Sequence, residues 1–590
     1  MVFRKTRVIQ INLNVLYIFI LVFFFVTLLR LWYLQILKGE EYAKLAKNNR
    51  LRYYSIYPLR GKIKDRFGNI LAEDKPAYDL AIIKEDCPNI KEVLKRLSGY
   101  VGVSYEDLYK KFISQRHKVK PFRPLILVPN VSFKTLSKIE MNLEKLKGVH
   151  VIIHPVRHYS YGPILAHVIG YVAQADLKDL KKNKNLELGD YIGKTGVEKQ
   201  LNDLLSGKKG LKQVEVNVFE RIIKEKVIKE PEPGKDLSLT IDLNLQKYAW
   251  DLLKGKCGAI VVMDAYTGDI LALISRPSYD PNLFVKGISY KMWKKLTTDP
   301  FHPLQNRVIQ STFPPGSVFK LVVAGCALYY NRFSPYKKIF CPGFYVLGNR
   351  KFRCWKKWGH GWVNMKEAIS QSCDVYFYKL GELLGIDLIS EYAKKCGFGQ
   401  LTGIDLPYEK KGLVPTKEWK LKRFKERWQK GETLVTAIGQ GYLQVTPIQV
   451  ARFTAAIVNH GKLLKPNLIL GQKPLVQGII PVRKNELKII KNSMIMTVNS
   501  SHGTAHLIKL KGITIGAKTG TVQVTNKLYR EKELKKIPYK LRDHAWMTSF
   551  AQKKNKAYVV TVFVEHGGMG SSAAGPIVKS IYRYIFKRFR

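Results

Sequence analysis

One uncharged apolar run near the N-terminus limits most strongly what this 590-residue chain can become. No residue from Val8 to Leu29 is charged, and as a helix the run would rise about 33 Å, enough to cross the hydrocarbon core of a bilayer. Arg4, Lys5 and Arg7 precede it, which favours a cytoplasmic N-terminus. A cleavable signal peptide is the alternative, but a small-x-small cleavage site is missing. The sequence therefore predicts a short cytoplasmic tail and single-pass anchor in the cytoplasmic membrane, residues 1–37, followed by extracytoplasmic (periplasmic) domains.

Composition and charge set bounds on the outer part of the chain. Hydrophobic residues make up 46% and charged residues 25%, which is a globular balance, and the length allows at least two cores. The formal net charge of +54 comes from lysines scattered along the whole chain. Without an arginine-rich arm, an RNP-type strand or a finger spacing, nucleic-acid binding is not predicted, and a surface working near anionic lipids is the preferred interpretation.

A turn-rich segment at 230–234, Glu-Pro-Glu-Pro-Gly, divides the outer part into residues 38–230 and 231–590. The first part mixes short β-like runs, at 78–83, 125–128 and 149–153, with charged helical stretches. The second begins with strands joined by a hairpin, continues with helical patterns at 317–330 and 363–384, and returns to a strand at 557–565. Strands, a helical block and strands again predict an α+β domain.

The first chemical motif is a serine followed by a lysine one helical turn later. Ser317 and Lys320 follow Pro315-Gly316, and apolar residues then recur at helical spacing. The two side chains share a face, so a neutral Lys320 amine can accept the Ser317 proton and make the hydroxyl a nucleophile. Ser206 and Ser334 also begin Ser-x-x-Lys matches, but these look like solvated loops. Taken alone, Ser317 could equally be a helix cap.

Two further motifs follow in a fixed order. Ser372-Cys373-Asp374 offers a second hydroxyl that can relay a proton to a departing amine, and a carboxylate that can orient the substrate backbone or hold a lysine. Asp374 occupies the third place of this motif, where the Ser-Asp-Asn form has asparagine.

The third motif, Lys518-Thr519-Gly520-Thr521, follows a strand pattern at 513–515. On an edge strand the lysine supplies positive field, the hydroxyls bind a substrate carboxylate, and Gly520 lets an extended peptide lie close to the strand. The three motifs together, in this order, form the set found in β-lactamases and penicillin-binding proteins.

Cysteine and histidine spacing indicates a possible metal site. Cys341, Cys354, His360 and Cys373 are spaced as C-x12-C-x5-H-x12-C and could form a closed Cys3His zinc site. The alternatives are a Cys341–Cys354 disulfide, favoured by an oxidising compartment, with Cys373 merely buried, or free thiols.

Seven further segments extend the likeness, and on them the chain resembles a class B penicillin-binding protein of the penicillin-binding protein 2 type. These segments are 60–66 (RGKIKDR), 196–198 (GVE), 239–242 (LTID), 355–361 (WKKWGHG), 438–441 (IGQG), 446–447 (TP) and 544–546 (HAW). The resemblance implies an elongated non-catalytic pedestal (dimerisation-type) domain over 38–230. It also implies a penicillin-binding/β-lactamase-like transpeptidase domain over 231–590, an antiparallel sheet with a helical subdomain.

The resemblance further implies a D,D-transpeptidase that cross-links peptidoglycan stem peptides during cell elongation and needs no cofactor for its chemistry. Ser317 would attack the penultimate carbonyl, expel D-alanine and form an acyl-enzyme that an amine from another stem resolves. Lys320 would be the base, Ser372 the proton relay and Asp374 its orienting partner. Lys518, Thr519 and Thr521 would hold the terminal carboxylate, and the N–H groups of Ser317 and Thr521 would form the oxyanion hole.

Partners and rival functions follow from the same resemblance. It implies a polytopic membrane glycosyltransferase and scaffold proteins of the elongation machinery as partners, and β-lactams as inhibitors of Ser317. A β-lactamase would add a deacylating group and lack a pedestal, and a membrane β-lactam sensor would need more spans. A degenerate scaffold is disfavoured by three intact motifs, whereas transfer to water, as in a D,D-carboxypeptidase, is chemically open. The acceptor amine is not indicated.

Overall fold

The N-terminal helix of this computed structural model has the dimensions of a membrane span. The structure describes residues 13–117, 119, 121, 124–183, 185–187, 189–217, 222–285, 287–524 and 537–588. An α-helix over Leu13–Trp32 continues as a π-helical turn over Tyr33–Leu37, and no side chain of the α-helix is buried. Apolar side chains exposed along a helix of this length require an apolar solvent such as lipid. The basic residues Arg4, Lys5 and Arg7 lie outside the described residues.

The described chain forms two compact units, of which the first comprises residues up to 59, 77–154 and 207–234. Its core packs three amphipathic helices, Ile90–Val101, Tyr105–Gln115 and Phe133–Glu140, against the strand Leu125–Val128 and its partner residues 80–82. A separate antiparallel sheet joins Leu51–Ile56, Gly210–Val216 and Ile222–Lys229. The strand predicted at 125–128 is thus present, and the one predicted at 149–153 extends over Val149–Tyr159.

The second unit comprises 60–76, 155–206 and 235–590, and its centre is an antiparallel five-stranded sheet. In spatial order the strands are Ile270–Arg276, Gly258–Asp264, Lys556–Val564, His544–Lys553 and Thr514–Val522. Their side chains are buried almost throughout because helices cover both faces. Leu243–Leu252 and Gly575–Arg588 pack on one face, and the buried helix Pro447–Val458 packs on the other. The predicted α+β class is confirmed.

A helical layer beside this sheet carries most of the chemically interesting residues. Its elements are a 3-10 turn at Gly316–Phe319 and α-helices at Lys320–Tyr329, Met365–Ser370, Asp374–Lys395, Lys417–Phe424, Lys430–Ala437 and Lys484–Asn499. Two small hairpins lie between the first two helices of this layer, pairing Ile339–Cys341 with Gly361–Val363 and Phe344–Leu347 with Arg350–Arg353. The helical pattern predicted over 363–384 is helix at Met365–Ser370 and from Asp374 onward, but it starts after the strand residues 361–363 and is interrupted at 371–373.

Two of the sequence segments that carry the family resemblance meet in a buried ion network of the second unit. Glu198, fully buried, accepts hydrogen bonds from Arg60 Nε at 2.6 Å and from Arg157 Nε at 2.7 Å. Arg157 also reaches Asp74 at 3.2 Å and the Gly61 carbonyl at 2.9 Å. Each buried charge therefore has an opposite charge and a further hydrogen bond beside it. These contacts offset the desolvation free energy that burial of an ion costs.

Candidate active site

The nucleophile turn is built by a glycine in the left-handed region. Gly316 has φ +55°, and a Cβ placed there would lie 2.9 Å from the Thr521 carbonyl oxygen and 3.3 Å from the Thr521 nitrogen. Only glycine allows this approach of the turn to the edge strand. The turn leaves Ser317 half-buried and accessible, whereas Lys320, at the start of the α-helix, is fully buried.

The structure brings Lys320, Ser372, Asp374 and Lys518 together. Lys320 Nζ donates to Asp374 Oδ1 at 2.7 Å, to the Ser372 carbonyl at 2.9 Å and to Ser372 Oγ at 3.2 Å. From the other side Lys518 Nζ donates to the same Ser372 Oγ at 2.9 Å. The Ser372 hydroxyl thus bridges two buried lysines. Among the described residues, Lys320 makes no hydrogen bond to the Ser317 hydroxyl.

Burial controls the electrostatics of this cluster. Complete burial, with the Lys320 cation as a second cause, lowers the pKa of Lys518 well below the usual lysine value. Burial also raises the pKa of the Asp374 carboxyl, although the Lys320 cation opposes the shift. Two ammonium groups on one hydroxyl repel each other, so the arrangement favours a state in which one lysine is neutral.

Ser372 stands in a strained conformation that its neighbours hold in place. Its φ of +57° is unusual for a residue with a side chain. Trp355 Nε1 donates to the Ser372 carbonyl at 3.0 Å and to the Gln371 carbonyl at 3.2 Å, and the Trp355 backbone N–H donates to Asp374 Oδ2 at 2.8 Å. Trp355 is therefore a positioning residue for the second motif, a role that the sequence motifs alone do not indicate.

Lys518 to Thr521 lie in the edge strand Thr514–Val522, the position expected for this motif, and the strand extends well beyond the pattern at 513–515. The Thr519 hydroxyl is 2.8 Å from the Thr504 hydroxyl, and Gln440 Nε2 donates to the Thr521 carbonyl at 3.1 Å. The Gly570 N–H reaches Thr521 Oγ1 at 3.4 Å. The sequence motifs do not indicate Thr504. Gln440 lies in segment 438–441, but the sequence assigns it no role.

Gly520 is needed for a reason other than the one its sequence suggests. A Cβ at this position would meet the Pro315 carbonyl at 2.9 Å, Trp546 Cβ at 3.0 Å and Val318 Cγ2 at 3.2 Å. The missing side chain therefore makes room for the nucleophile turn, a reason that the sequence pattern does not indicate.

The four predicted metal-ligand side chains also converge. The ligand atoms of Cys341, Cys354, His360 and Cys373 lie within 4.8 Å of one another. His360 Nδ1 is 3.5 Å from the sulfurs of both Cys341 and Cys354, and the Asp374 N–H points to Cys354 Sγ at 3.4 Å. All seven cysteines are free, so the Cys341–Cys354 disulfide is not formed in this structure.

The thiols of this cluster differ in acidity. Hydrogen bonds from the Cys354 and Cys373 thiols lower the pKa of Cys341 to about 3. The hydrogen bonds of Cys373 to Cys341 and Cys354 raise the pKa of Cys373, so this thiol ionises last. The cluster thus carries a thiolate readily, which is the form that binds metal.

An accessible serine beside two buried lysines, a bridging hydroxyl and an edge strand define a serine acyl-transfer site. Comparisons with known proteins agree with this class. Residues 258–583 match the penicillin-binding protein transpeptidase domain, and residues 55–239 match the penicillin-binding protein dimerisation domain. The chain belongs to the penicillin-binding protein family.

Individual relatives cover almost the whole chain. The peptidoglycan D,D-transpeptidase MrdA of Haemophilus influenzae is 36% identical over 581 residues, covering 95% of this chain and 89% of that protein. A complex between penicillin-binding protein 2 and MreC from Helicobacter pylori matches with a TM-score of 0.80 at 35% identity, covering 92% of this chain and 99% of that one. A structure described as coordinating polymerization and crosslinking in a peptidoglycan synthase complex matches with a TM-score of 0.73 at 30% identity, covering 97% of each chain.

Proposed function

We propose that this protein is a peptidoglycan D,D-transpeptidase of the cell-elongation type, which cross-links stem peptides through an acyl-enzyme on Ser317. The observation that carries the proposal is the Ser372 hydroxyl, which is held between Lys320 and Lys518. Lys320 itself follows the accessible Ser317 by one helical turn. This arrangement supplies both a base for the attacking hydroxyl and a path for a proton to the leaving amine.

Acylation begins when Ser317 Oγ attacks the penultimate D-alanine carbonyl and gives its proton to a neutral Lys320 amine. Asp374 Oδ1, which lies 2.7 Å from Lys320 Nζ, orients that amine for the transfer. The N–H groups of Ser317 and Thr521 receive the oxyanion, and each such donor typically stabilises the transition state by about 3 kcal/mol. Gly316 lets the turn that carries Ser317 approach the Thr521 backbone.

The tetrahedral intermediate then collapses, breaks the C–N bond and expels D-alanine, whose amine takes a proton relayed through Ser372. An amine of a second stem then attacks the Ser317 ester carbonyl and forms the cross-linking amide. The ester C–O bond breaks, and the proton lost by the amine returns along the same path to Ser317 Oγ. Lys518, Thr519 and Thr521 hold the terminal carboxylate, and the Gly520 backbone completes the strand on which the donor stem lies.

Labelling with a fluorescent penicillin tests this proposal. The wild-type chain should form a stable adduct, Ser317→Ala should form none, and Ser334→Ala, which removes the serine of an unrelated Ser-x-x-Lys match, should label normally. No adduct on the wild type would reject the proposal, and an adduct that clears within seconds would indicate a β-lactamase.

The anchor and the relatives support a location and partners. We place the N-terminus and helix in residues 1–37, the pedestal in 38–230 and the transpeptidase domain in 231–590, with the catalytic part outside the cytoplasmic membrane. The complexes of related proteins with MreC and in a peptidoglycan synthase support a scaffold protein and a membrane glycosyltransferase as partners. The orientation across the membrane is tested with Lys473→Cys, which places a cysteine at an exposed site. In intact cells a membrane-impermeant thiol reagent should label this cysteine.

We also propose that Cys341, Cys354, His360 and Cys373 hold one structural zinc ion. A tetrahedral zinc–thiolate site has sulfurs about 3.8 Å apart, and a small contraction of the present cluster reaches that spacing. His360 Nδ1 faces the sulfurs, whereas its buried Nε2 has no hydrogen-bond partner among the described residues. Zinc would lock the loop and take no part in acyl transfer.

Metal analysis and thermal unfolding test the zinc site. One zinc per chain is expected, lost in Cys341→Ser, with a chelator lowering the unfolding temperature of the wild type but not of the variant. A protein purified without metal whose unfolding temperature does not change with added zinc would leave free thiols as the correct reading.

A further inference from the structure

The two small hairpins of the helical layer carry a surface that acyl transfer at Ser317 does not use. Residues 332–363 contain no aspartate or glutamate, and their cations are Arg332, Lys337, Lys338, Arg350, Lys351, Arg353, Lys356 and Lys357. Of the residues that the structure describes, none places a carboxylate within ion-pair distance of these eight cations. So much uncompensated positive charge in one short segment favours an anionic ligand.

Aromatic rings are interleaved with these cations around a groove of about 570 Å³, which we call the aromatic groove. Its main lining residues are Arg332, Phe333, Lys337, Phe340, Tyr345 and Lys379. Phe340 is 52% exposed and faces the 64% exposed Trp362 across the hairpin, with ring centroids 5.5 Å apart. Exposed rings grouped in this way are typical of a binding surface rather than of a core.

The groove is preformed rather than loose. Phe340 adjoins Cys341, whose sulfur lies in the Cys/His cluster, and strand pairing of Ile339–Cys341 with Gly361–Val363 holds the hairpin. Tyr345 donates to Glu382, which also pairs with Lys379 at 2.9 Å, and this ties one wall to the helix Asp374–Lys395. A wall fixed before the ligand arrives loses little side-chain entropy on binding.

We propose that the aromatic groove binds the glycan–peptide backbone of an uncross-linked peptidoglycan strand beside the catalytic serine. The apolar C–H faces of sugar rings would stack on Phe340 and its neighbours, and the stem carboxylates would pair with Arg332 and Lys337. This inference rests on the proposed function, since it takes the strand to be the polymer that carries the substrate.

Chain lengths support the choice of occupant. Lys379 lies five residues after Asp374 on one helix, which is about 7.5 Å along the axis. An extended five-residue stem spans about 17 Å. Val375, which lines the groove, directly follows Asp374, and a stem is longer than the rise from Asp374 to Lys379, so one strand can extend from the catalytic cluster toward the groove.

Binding of labelled, uncross-linked peptidoglycan strands to the full chain in detergent tests the inference. Arg332→Glu/Lys337→Glu and Phe340→Ala should each weaken strand binding about tenfold, and added salt should weaken wild-type binding more than that of the double variant. The matched controls Lys473→Glu and Tyr290→Ala, an exposed lysine and an exposed aromatic outside the groove, should bind like the wild type.

Three outcomes would overturn the inference: strand binding unchanged in both groove variants, an equal loss in the controls, or vesicles of anionic phosphatidylglycerol that bind in a groove-dependent way while strands do not. Penicillin acylation of Ser317 separates this inference from the function. Acylation should be unchanged in every groove variant, and its absence in the wild type would reject the proposed function instead.

Discussion

Replacing Trp355 by phenylalanine should slow acylation without unfolding the protein. The change removes the indole N–H that donates to the Ser372 and Gln371 carbonyls, at 3.0 and 3.2 Å. The hydrogen bond from the backbone N–H of residue 355 to the Asp374 carboxylate is kept, and Lys320 still donates to the Ser372 carbonyl. The catalytic loop therefore loses one of its supports and keeps the others.

The size of the effect follows from these contacts. A neutral hydrogen bond to a carbonyl contributes about 1 kcal/mol, and the left-handed Ser372 stores about 1–3 kcal/mol of backbone strain that such bonds offset. Because Trp355 is 52% exposed, water can replace part of the lost bond. We expect a loss of about 1 kcal/mol in transition-state stabilisation, which is about a fivefold fall in the second-order rate constant of acylation.

The assay is the rate of acylation by a fluorescent penicillin, measured together with the thermal unfolding temperature. Trp358→Phe is the matched control, since Trp358 lies three residues away, is 85% exposed and has no role in the cluster. A positioning role predicts slower acylation at saturating penicillin in Trp355→Phe alone, with an unfolding temperature close to the wild type. Acylation at the wild-type rate, or the same loss in Trp358→Phe, would refute the reasoning.

Three further predictions concern charge. Because burial lowers the pKa of Lys518, its ammonium form is lost, as the pH is raised, before the pH reaches 10.5, the ordinary lysine pKa. Acylation by a carboxylate-bearing penicillin should therefore already slow at a pH lower than 10.5. Acylation by a penicillin methyl ester should show no such decline. Burial lowers the pKa of His544 from 6.5 to about 4, so the unfolded state binds more protons between these values; stability should fall by at most about 3 kcal/mol from pH 6.5 to pH 4, and His544→Gln should flatten the slope in urea unfolding. Glu198→Gln should cost about 3–5 kcal/mol of stability, because it leaves Arg60 without its counter-charge and Arg157 with Asp74 alone. Glu92→Gln, at an exposed helix pair, should cost less than about 1 kcal/mol.

Each of these predictions can fail on its own. Acylation that rises with pH through the lysine range would mean that Lys518 acts as a base. A pH slope identical in wild type and His544→Gln would show that His544 does not control acid stability. Equal unfolding free energies for Glu198→Gln and Glu92→Gln would remove the buried network as a source of stability.

The motif residues could be found from sequence because each motif is local and chemically distinctive. Ser317 and Lys320 share a helix turn, and Lys518 to Thr521 share a strand, so spacing alone places their side chains. The convergence of the Cys/His cluster was also accessible, since its ligand spacing is compatible with a tetrahedral site. The α+β class followed from the order of strand and helix patterns.

The supporting contacts could not be predicted in the same way. Trp355 reaches Asp374 across 19 residues and Gln440 reaches Thr521 across 81, so neither pair shares an element or a period. The apolar pattern runs through Ser372 and so does not predict the break there, because tertiary hydrogen bonds to the Ser372 carbonyl decide its backbone. For Gly520 the sequence indicates only the substrate side, since it does not show that the missing Cβ faces Pro315.

Mass spectrometry of the chain with a D-Ala-D-Ala donor peptide and a separate amine acceptor tests the central claim most directly. The account predicts a transient adduct on the peptide containing Ser317, equal to the donor minus D-alanine, followed by a new amide between donor and acceptor. Ser317→Ala should give neither. An adduct on another residue, or release of the shortened donor by water alone when acceptor is abundant, would contradict the account of this protein as a serine D,D-transpeptidase.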